Sequence, residues 1–415
     1  MSLSGIRRTR REFLRTAAAA VAAPYVLTST ALGAAGRLPA SERIVMGTIG
    51  VGGRGTDDMN GFLRSPEVQM VAVCDVFEGR RQRAKGTVDK RYGSADCTAY
   101  NDFRDLVTRP DIDAVCIGTP DHWHAIPTIW ACRHGKDVYC EKPLSLTVRE
   151  GRAMVEAARR YARVVSGGSQ RVLEDYGGLA RAVRGGAAGE VKEVYVEVGG
   201  PSRLCNLPAE PVPPGLDWEM WLGQAPWAPY NRDRCSGAYG GGTGFRAWRD
   251  YSGGMMTDWG GHKFGGALFA LDLQTTGPVE IIPPDGKDYQ YLTYVFANGI
   301  RMYHAPGPDG RGSINITFKG TLGQVPGRQA ERAVSMPGYK GKGGIYGDFL
   351  HCVRTRERPF RDVELSHRTA TVCHLGNIAY WLGRRLRWDP VKELFVGDDE
   401  ANRWLDRPKR EPWRI

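Results

Sequence analysis

The feature that most narrows the fold of this chain is a glycine turn seated between a strand and a helix. Arg43–Ile49 is apolar enough for a buried strand, and Gly50, Gly52 and Gly55 follow it as G-x-G-x-x-G. The first glycine permits a tight turn, the second lets backbone approach a ligand, and the third lets the next helix pack closely. The start of that helix attracts phosphate charge. Such a motif is weak alone and gains force from its context. Here a second strand, Val68–Cys74, ends in Asp75, where a carboxylate reaches the ribose hydroxyls of a dinucleotide. Gly50, Gly52, Gly53, Arg54, Gly55 and Asp75 are thus candidate cofactor residues. Asp75 repels a 2′-phosphate and favours NAD, while Arg80, Arg81 and Arg83 keep NADP open.

Strand–helix alternation continues downstream. Ala114–Gly118 reads as a strand, Ile126, Ile129 and Trp130 as one side of a helix, Gly135 as its stop, and Asp137–Cys140 as the next strand. Short links between such units predict a parallel, doubly wound sheet with ligands at the carboxyl ends of its strands. Two of those ends carry unusual chemistry: Thr119-Pro120-Asp121-His122-Trp123-His124 and Glu141-Lys142-Pro143. Thr119, Pro120, His124, Glu141 and Lys142 join the candidate cofactor residues. His122 and His124 form an H-x-H pair without further ligands at metal spacing, so no metal is expected. One of the two is expected to cap the following helix or to touch the nicotinamide.

Bulk properties fit a two-domain globular protein of 415 residues, 41% hydrophobic and 25% charged. The net charge is +11, but five arginines and one glutamate in residues 1–36 account for part of it, leaving +7 on the remainder. There is no basic stripe with interleaved aromatics, which argues against nucleic-acid binding. The nine cysteines show no C-x-x-C pair, and Cys74, Cys116 and Cys140 fall in strand-like runs as small buried hydrophobes. Thr9-Arg10-Arg11-Glu12-Phe13-Leu14-Arg15, followed by an Ala-rich apolar run, looks like a twin-arginine export signal over residues 1–36. It predicts passage through the twin-arginine translocase to the periplasm.

The second half opens with an alternating strand, Val191–Gly199. Residues 201–229 hold seven prolines with Trp218, Trp221 and Trp227, and read as an arm around a neighbour or a wall of a cleft. The glycine-rich stretch 236–254 contains Tyr239, Phe245, Trp248, Arg249 and Tyr251. Its aromatic faces and arginine suit a sugar. Gln170, Arg171, Trp248, Arg249 and Tyr251 are therefore candidate substrate contacts. Asn298-Gly299 predicts a type I′ hairpin between Tyr291–Phe296 and Ile300–His304. Ile314–Lys319 reads as another strand, Gly347–Val353 and Thr369–Leu382 as helices, and the polar tail with Trp404 and Trp413 as a docking arm.

On Gly50–Gly55, Thr119-Pro120-x-x-x-His124, Glu141-Lys142-Pro143 and Asp258-Trp259-Gly260-Gly261-His262, residues 43–390 resemble the Gfo/Idh/MocA oxidoreductases, which include glucose–fructose oxidoreductase and inositol dehydrogenase. The resemblance implies an α/β protein: a Rossmann domain (43–165), then a substrate and oligomerisation domain (166–390) with a large open antiparallel sheet, and an arm (391–415). It implies a homo-oligomer, dimer or tetramer, and a sugar, polyol or cyclitol substrate oxidised or reduced at a carbinol carbon. Lys142, Asp258 and His262 correspond to the family's catalytic trio. Asp258 and His262 share one helical face, so the carboxylate can orient the ring, neutral His suits the base role, and Lys142 can steady a developing alkoxide. Relatives often carry an Asp three residues after the histidine; here that position is Gly265. An exported enzyme needs a cofactor that is held and reset within each turnover. Two alternatives accompany this reading: glycoside cleavage through a transient keto-sugar, and a non-catalytic sugar-binding protein.

Overall fold

The apolar run ahead of the glycine turn forms a strand buried on both faces, and the whole first half is organised around it. The structure, a computed structural model, describes residues 38–237, 244–308, 316–326 and 334–415. The export signal, Tyr239 and the first two residues of the strand expected at Ile314–Lys319 lie outside the described residues. Residues 1–43 are a unit of their own, of which the described part holds one 3₁₀ turn, Ala40–Glu42.

In the unit Ile44–Ile415 the chain runs β1 (Ile44–Ile49), α1 (Gly53–Leu63), β2 (Val68–Cys74), α2 (Glu78–Tyr92), β3 (Thr98–Tyr100), α3 (Phe103–Val107), β4 (Ala114–Ile117), α4 (Ala125–Arg133), β5 (Asp137–Cys140), α5 (Val148–Arg160) and β6 (Val165–Gly167). These strands form a six-stranded sheet in the order β3-β2-β1-β4-β5-β6, every pairing parallel. Crossover helices cover both faces, as a parallel sheet requires. Met59 and Phe62 of α1 and Val88 of α2 pack on one side, Ile126 and Ile129 of α4 and Met154 and Val155 of α5 on the other. β6 carries the sheet two residues past the expected limit at 165.

Next come α6 (Arg171–Glu174), α7 (Gly177–Arg184), β7 (Val191–Val196), α8 (Trp218–Leu222), α9 (Arg232–Cys235), α10 (Met255–Asp258), α11 (Gly260–Leu271), β8 (Glu280–Ile282), β9 (Leu292–Val295), β10 (Arg301–His304), β11 (Ile316–Gly320), β12 (Gly323–Pro326), α12 (Gly344–Thr355), α13 (Val363–Leu382), β13 (Leu386–Asp389), β14 (Leu394–Phe395) and α14 (Asp399–Arg403). The eight strands form one sheet in the order β12-β11-β7-β10-β9-β8-β13-β14. It is mixed rather than wholly antiparallel, because β10 enters beside β7 in parallel. Alternation decides its faces: Val194, Val196, Met302 and Phe318 point to a core shared with Phe264 and Leu268 of α11 and Val372 and Leu375 of α13, while Glu193, Arg301 and Lys319 occupy the other face. α12 leaves this domain to pack Ile345 and Phe349 against Met59 and Phe62.

The 296–300 hairpin exists, but its turn type differs from expectation. Gly299 has φ +85°, Asn298 stays at negative φ, and Gly299 N–H donates to Phe296 O at 2.9 Å. A type I turn followed by a left-handed glycine spares Asn298 the positive φ that a type I′ turn demands. The tail docks: Trp413 packs edge-on to Trp123 with ring centroids 4.8 Å apart.

Candidate active site

Strand register builds the site. Ile49 pairs with Cys74 and with Ile117, and Ile117 pairs with Cys140, so four strands finish level. The residues that follow, Gly50, Asp75, Gly118 and Glu141, stand in one row along the carboxyl edge. A cavity of about 390 Å³ opens over that row, within the range of small-ligand and cofactor pockets. Its floor is Gly50, Gly52, Gly53, Arg54, Asp75, Thr119, Pro120, Glu141 and Lys142, and its roof comes from Met220, Trp221, Phe245 and Arg246.

The glycines behave as their spacing requires. Gly50 has φ +79°, and a Cβ there would lie 2.6 Å from Thr119 N. A Cβ on Gly55 would lie 1.8 Å from the Gly50 carbonyl oxygen. The turn is tied to the next strand by Asp75, whose two carboxylate oxygens accept Val51 N–H and Phe77 N–H, both at 2.9 Å. Burial raises the Asp75 pKa, against the pull of Arg80 and those amides. Arg80 lines the cavity beside it. Arg54 also lines the cavity, with its guanidinium held by Asp58 at 2.6 Å and Glu141 at 3.1 Å. Glu141 thereby fixes Arg54, and its other oxygen accepts Lys142 N–H at 3.2 Å.

At the far end of the row, Lys142 Nζ donates to Asp258 Oδ1 at 2.7 Å, and Arg246 Nε donates to the same oxygen at 3.0 Å. Burial works against the charge of Asp258, but these two cations hold its carboxyl below the ordinary value. The expected partnership of Asp258 with His262 is thus replaced: α10 ends at Asp258, α11 begins at Gly260, and the carboxylate turns to Lys142 and Arg246 instead. His262 contacts Ser169, Nδ1 to Oγ at 3.4 Å. Burial, then Lys142 and Arg171, press its pKa well below that of a free imidazole, so the ring is neutral at pH 7. Being unprotonated, it has a lone pair with which to accept a proton near Lys142, whose Cβ would lie 3.5 Å from a Cβ on Gly261.

Other expected residues take different places. His124 lines no part of the cavity; it stands at the N-cap position of α4, as expected of one of the two histidines, but its side chain makes no capping bond. Its ring nitrogens face the carbonyls of Pro143 at 2.6 Å and Thr119 at 2.9 Å, stitching the two signature loops together. Burial opposes charge on this ring, yet Cys140, Asp121 and the Pro143 carbonyl push it up to about 10. His122 is buried against Trp221 O at 2.9 Å, and burial brings it down to about 4. Of the expected substrate contacts, Trp248 and Tyr251 are buried in a cluster with Trp218 and Trp221, and Arg249 lies over the rings of Trp381 and Trp404. Apolar packing claimed those aromatics before any ligand. Arg171 lies over Trp259 and pairs with Asp175, while Gln170 precedes α6 with its Oε1 buried and unpartnered.

Three site residues escaped the sequence reading: Arg246, Asp121 and Ser169. Asp121 lines the cavity, accepts Ser252 Oγ–H at 2.6 Å, and is raised by burial. Its place inside the Thr119–His124 motif was the available signal. Arg246 lies in the flagged glycine-rich stretch, where nothing local distinguished it from Arg249.

Comparison with known proteins accords with this geometry. Residues 44–169 match "Oxidoreductase family, NAD-binding Rossmann fold", and residues 201–415 match "Oxidoreductase family, C-terminal alpha/beta domain" of the Gfo/Idh/MocA group. Among curated proteins, a "Glycosyl hydrolase family 109 protein" of Shewanella baltica is 33% identical over 169 residues, covering 36% of this chain and 37% of its own. One from a Shewanella species (strain W3-18-1) is 35% identical over 125 residues, covering 29% and 27%. The matches thus span about a third of those relatives' length. In fold, the chain is similar to myo-inositol 2-dehydrogenase from Lactobacillus plantarum (TM-score 0.57, 17% identity, 83% and 99% covered). It is similar also to aldose-aldose oxidoreductase from Caulobacter crescentus (TM-score 0.54, 20% identity, 83% and 99% covered). With both of its domains matched and a glycine-turn cavity that reaches Lys142, the partner of Asp258, the chain belongs to the Gfo/Idh/MocA oxidoreductase family.

Proposed function

We propose that this protein is an exported oxidoreductase that acts on a carbinol of a sugar, polyol or cyclitol with a tightly held nicotinamide cofactor. The observation that carries the reading is the continuous cavity from the glycine turn and Asp75 to Lys142, roofed by Trp221 and Arg246. Its residues fit a dinucleotide. A Cβ on Gly53 would meet nothing within 4 Å and one on Gly52 only Arg80 Nη1 at 3.7 Å, which leaves room for a pyrophosphate at the start of α1. Asp75, fixed by two amides, keeps lone pairs for ribose hydroxyls, and Thr119, Pro120, Glu141 and Lys142 bound the opposite end. The cofactor would supply hydride acceptance and return; either NAD or NADP answers to this chemistry, Asp75 favouring the first and Arg80 serving the second.

The chain's own residues supply the proton chemistry. Lys142 donates a hydrogen bond to the carbinol oxygen and favours the alkoxide as it forms, and Asp258 with Arg246 holds Lys142 in place. Neutral, buried His262 accepts the proton. The twin-arginine-like leader supports export to the periplasm, where a cofactor must be reset within each cycle. The family resemblance supports a homo-oligomer.

The names of the Shewanella relatives favour a second reading, glycoside cleavage through a transient ketone. It is marked by release of a free aglycone with no net reduced nicotinamide.

The test is to denature protein purified from the exported fraction and assay the supernatant by mass spectrometry for NAD and NADP. Stoichiometric release supports a captive cofactor and identifies it. Absence of nucleotide, together with no binding of added NAD or NADP, would refute the enzyme reading.

A further inference from the structure

We propose that Ser169 is a positioning residue that decides which nitrogen of His262 carries the proton, leaving Nε2 as the proton-accepting atom. The inference rests on the base role given to His262 above.

Ser169 follows β6, the last strand of the first sheet, and is buried. Its hydroxyl has one hydrogen and two neighbours. One is the Gly261 carbonyl at 2.7 Å, the other is His262 Nδ1 at 3.4 Å. A carbonyl oxygen only accepts, so the shorter contact takes the hydroxyl hydrogen. The Ser169 oxygen then presents only lone pairs to Nδ1. A lone pair on Nδ1 would face them across the contact, whereas an N–H there makes a hydrogen bond. The neutral ring carries one proton, and this geometry puts it on Nδ1.

The other nitrogen is left for chemistry. Among the described residues no hydrogen-bond partner meets His262 Nε2, and that atom is not among the buried, unpartnered ones. Trp259 limits ring rotation, with centroids 5.9 Å apart at 68°. The groups acting on the ring are Lys142, Arg171, Arg54 and Arg361, all cations, so nothing among them rewards a second proton. Asp258, which the helical spacing offers as the orienting group, is committed to Lys142 and Arg246. Ser169 fills the vacant role. The contact is long, as hydrogen bonds in a site awaiting substrate often are.

A free histidine side chain favours the opposite, Nε2–H tautomer, which makes the proposal easy to test. The purified holoenzyme is labelled with ¹⁵N in its imidazoles, and the His262 signals are assigned by their loss in His262→Gln. The expected spectrum shows His262 protonated on Nδ1 and bare on Nε2. In Ser169→Ala the Nε2–H form appears, and Ser169→Thr, which keeps the hydroxyl, restores the wild-type pattern. Turnover of Ser169→Ala is expected to fall about 10- to 100-fold in kcat with KM within about twofold, a smaller cost than losing a triad carboxylate. An Nε2–H signal in the wild type overturns the proposal even if Ser169→Ala fails to fold. An unchanged tautomer in a folded Ser169→Ala overturns it as well. The spectrum needs no substrate, so an enzyme without carbinol activity but with the Nδ1–H form would refute the functional reading and leave this one standing.

Discussion

Replacing Gly55 by alanine tests the cofactor turn at its tightest point. The added Cβ would lie 1.8 Å from the Gly50 carbonyl oxygen and 3.2 Å from that of Gly118. Contacts under 3.0 Å are essentially never tolerated by a Cβ, so more than an ångström of movement must be found. No flexible side chain can yield, since the obstructing atoms are backbone in the turn and at the end of β4. Either α1 slides away from the sheet or the turn opens, and both displace the amides of residues 52 and 53 from the cavity. The cost should reach about 3 kcal/mol, the upper end for overpacking, because backbone rather than a rotamer must shift. Gly86→Ala is the control. Gly86 sits inside α2 with nothing within 4 Å of its would-be Cβ, so alanine there should stabilise by about 0.5–1 kcal/mol. The assay pairs thermal melting with nucleotide content of the purified protein. Gly55→Ala should melt lower and carry little nucleotide; Gly86→Ala should melt slightly higher and carry the full amount. A Gly55→Ala protein that keeps its nucleotide and its melting temperature would refute the placement of the cofactor on this turn.

Further outcomes follow from the charges. Asp258→Asn removes the carboxylate that Lys142 and Arg246 share, and breaking a buried pair costs about 3–5 kcal/mol; turnover should fall at least about 100-fold while nucleotide content holds, and near-wild-type kcat would remove Asp258 from the machinery. Because burial and Lys142 depress the His262 pKa, kcat/KM should stay level as pH falls from 8 to 6.5, its acid limb appearing only lower; a histidine limb at or above 6.5 would contradict the neutral buried ring. Glu364 is held at about 2, against the opposing effect of burial, by hydrogen bonds from Arg152 and Arg368. A depressed carboxylate gives stability that is complete above its unfolded value of 4.5 and is lost as pH falls toward 2. Its share is on the order of 3 kcal/mol before solvent screening reduces it. Melting curves of wild type and Arg152→Met between pH 6 and 2.5 should converge in acid, and parallel curves would count against the network.

What could be read in advance was what local rules decide. The turn Gly50–Gly55, Asp75 and Lys142 are each fixed by their own strand end, and parallel register then aligns those ends without further instruction. Residues whose roles depend on distant segments were harder. Asp258 and His262 share the helical spacing of a pair, yet Asp258 prefers Lys142 from 116 positions away, because a buried carboxylate gains more from two cations than from a neutral ring. Composition flagged 236–254 as aromatic and arginine-bearing but could not say which side chain faces inward. Trp248 and Tyr251 had a packed cluster available in Trp218 and Trp221, and only the 3₁₀ turn Phe245–Ala247 aims Arg246 at the cavity. The mixed sheet was also hidden, since the parallel entry of β10 beside β7 follows an excursion of about a hundred residues.

The same excursion explains how a short proline-rich segment becomes a cavity wall. Asp217 caps α8 by accepting Met220 N–H at 2.9 Å and also accepts Asn101 Nδ2–H at 2.8 Å, which ties the roof to the end of β3. Trp221 O receives Trp123 Nε1–H at 2.9 Å, and Gly223 leaves no room for a Cβ beside the Trp123 ring. From the far end of the chain, Arg410 Nε donates to Gly223 O at 3.1 Å while Trp413 packs on Trp123 and Phe103. The roof over the row of strand ends is thus held by the Rossmann edge on one side and by Arg410 and Trp413 on the other. The proposal of a held nicotinamide therefore predicts that its release needs these hydrogen bonds and the aromatic packing of Trp413, Trp123 and Phe103 to open together.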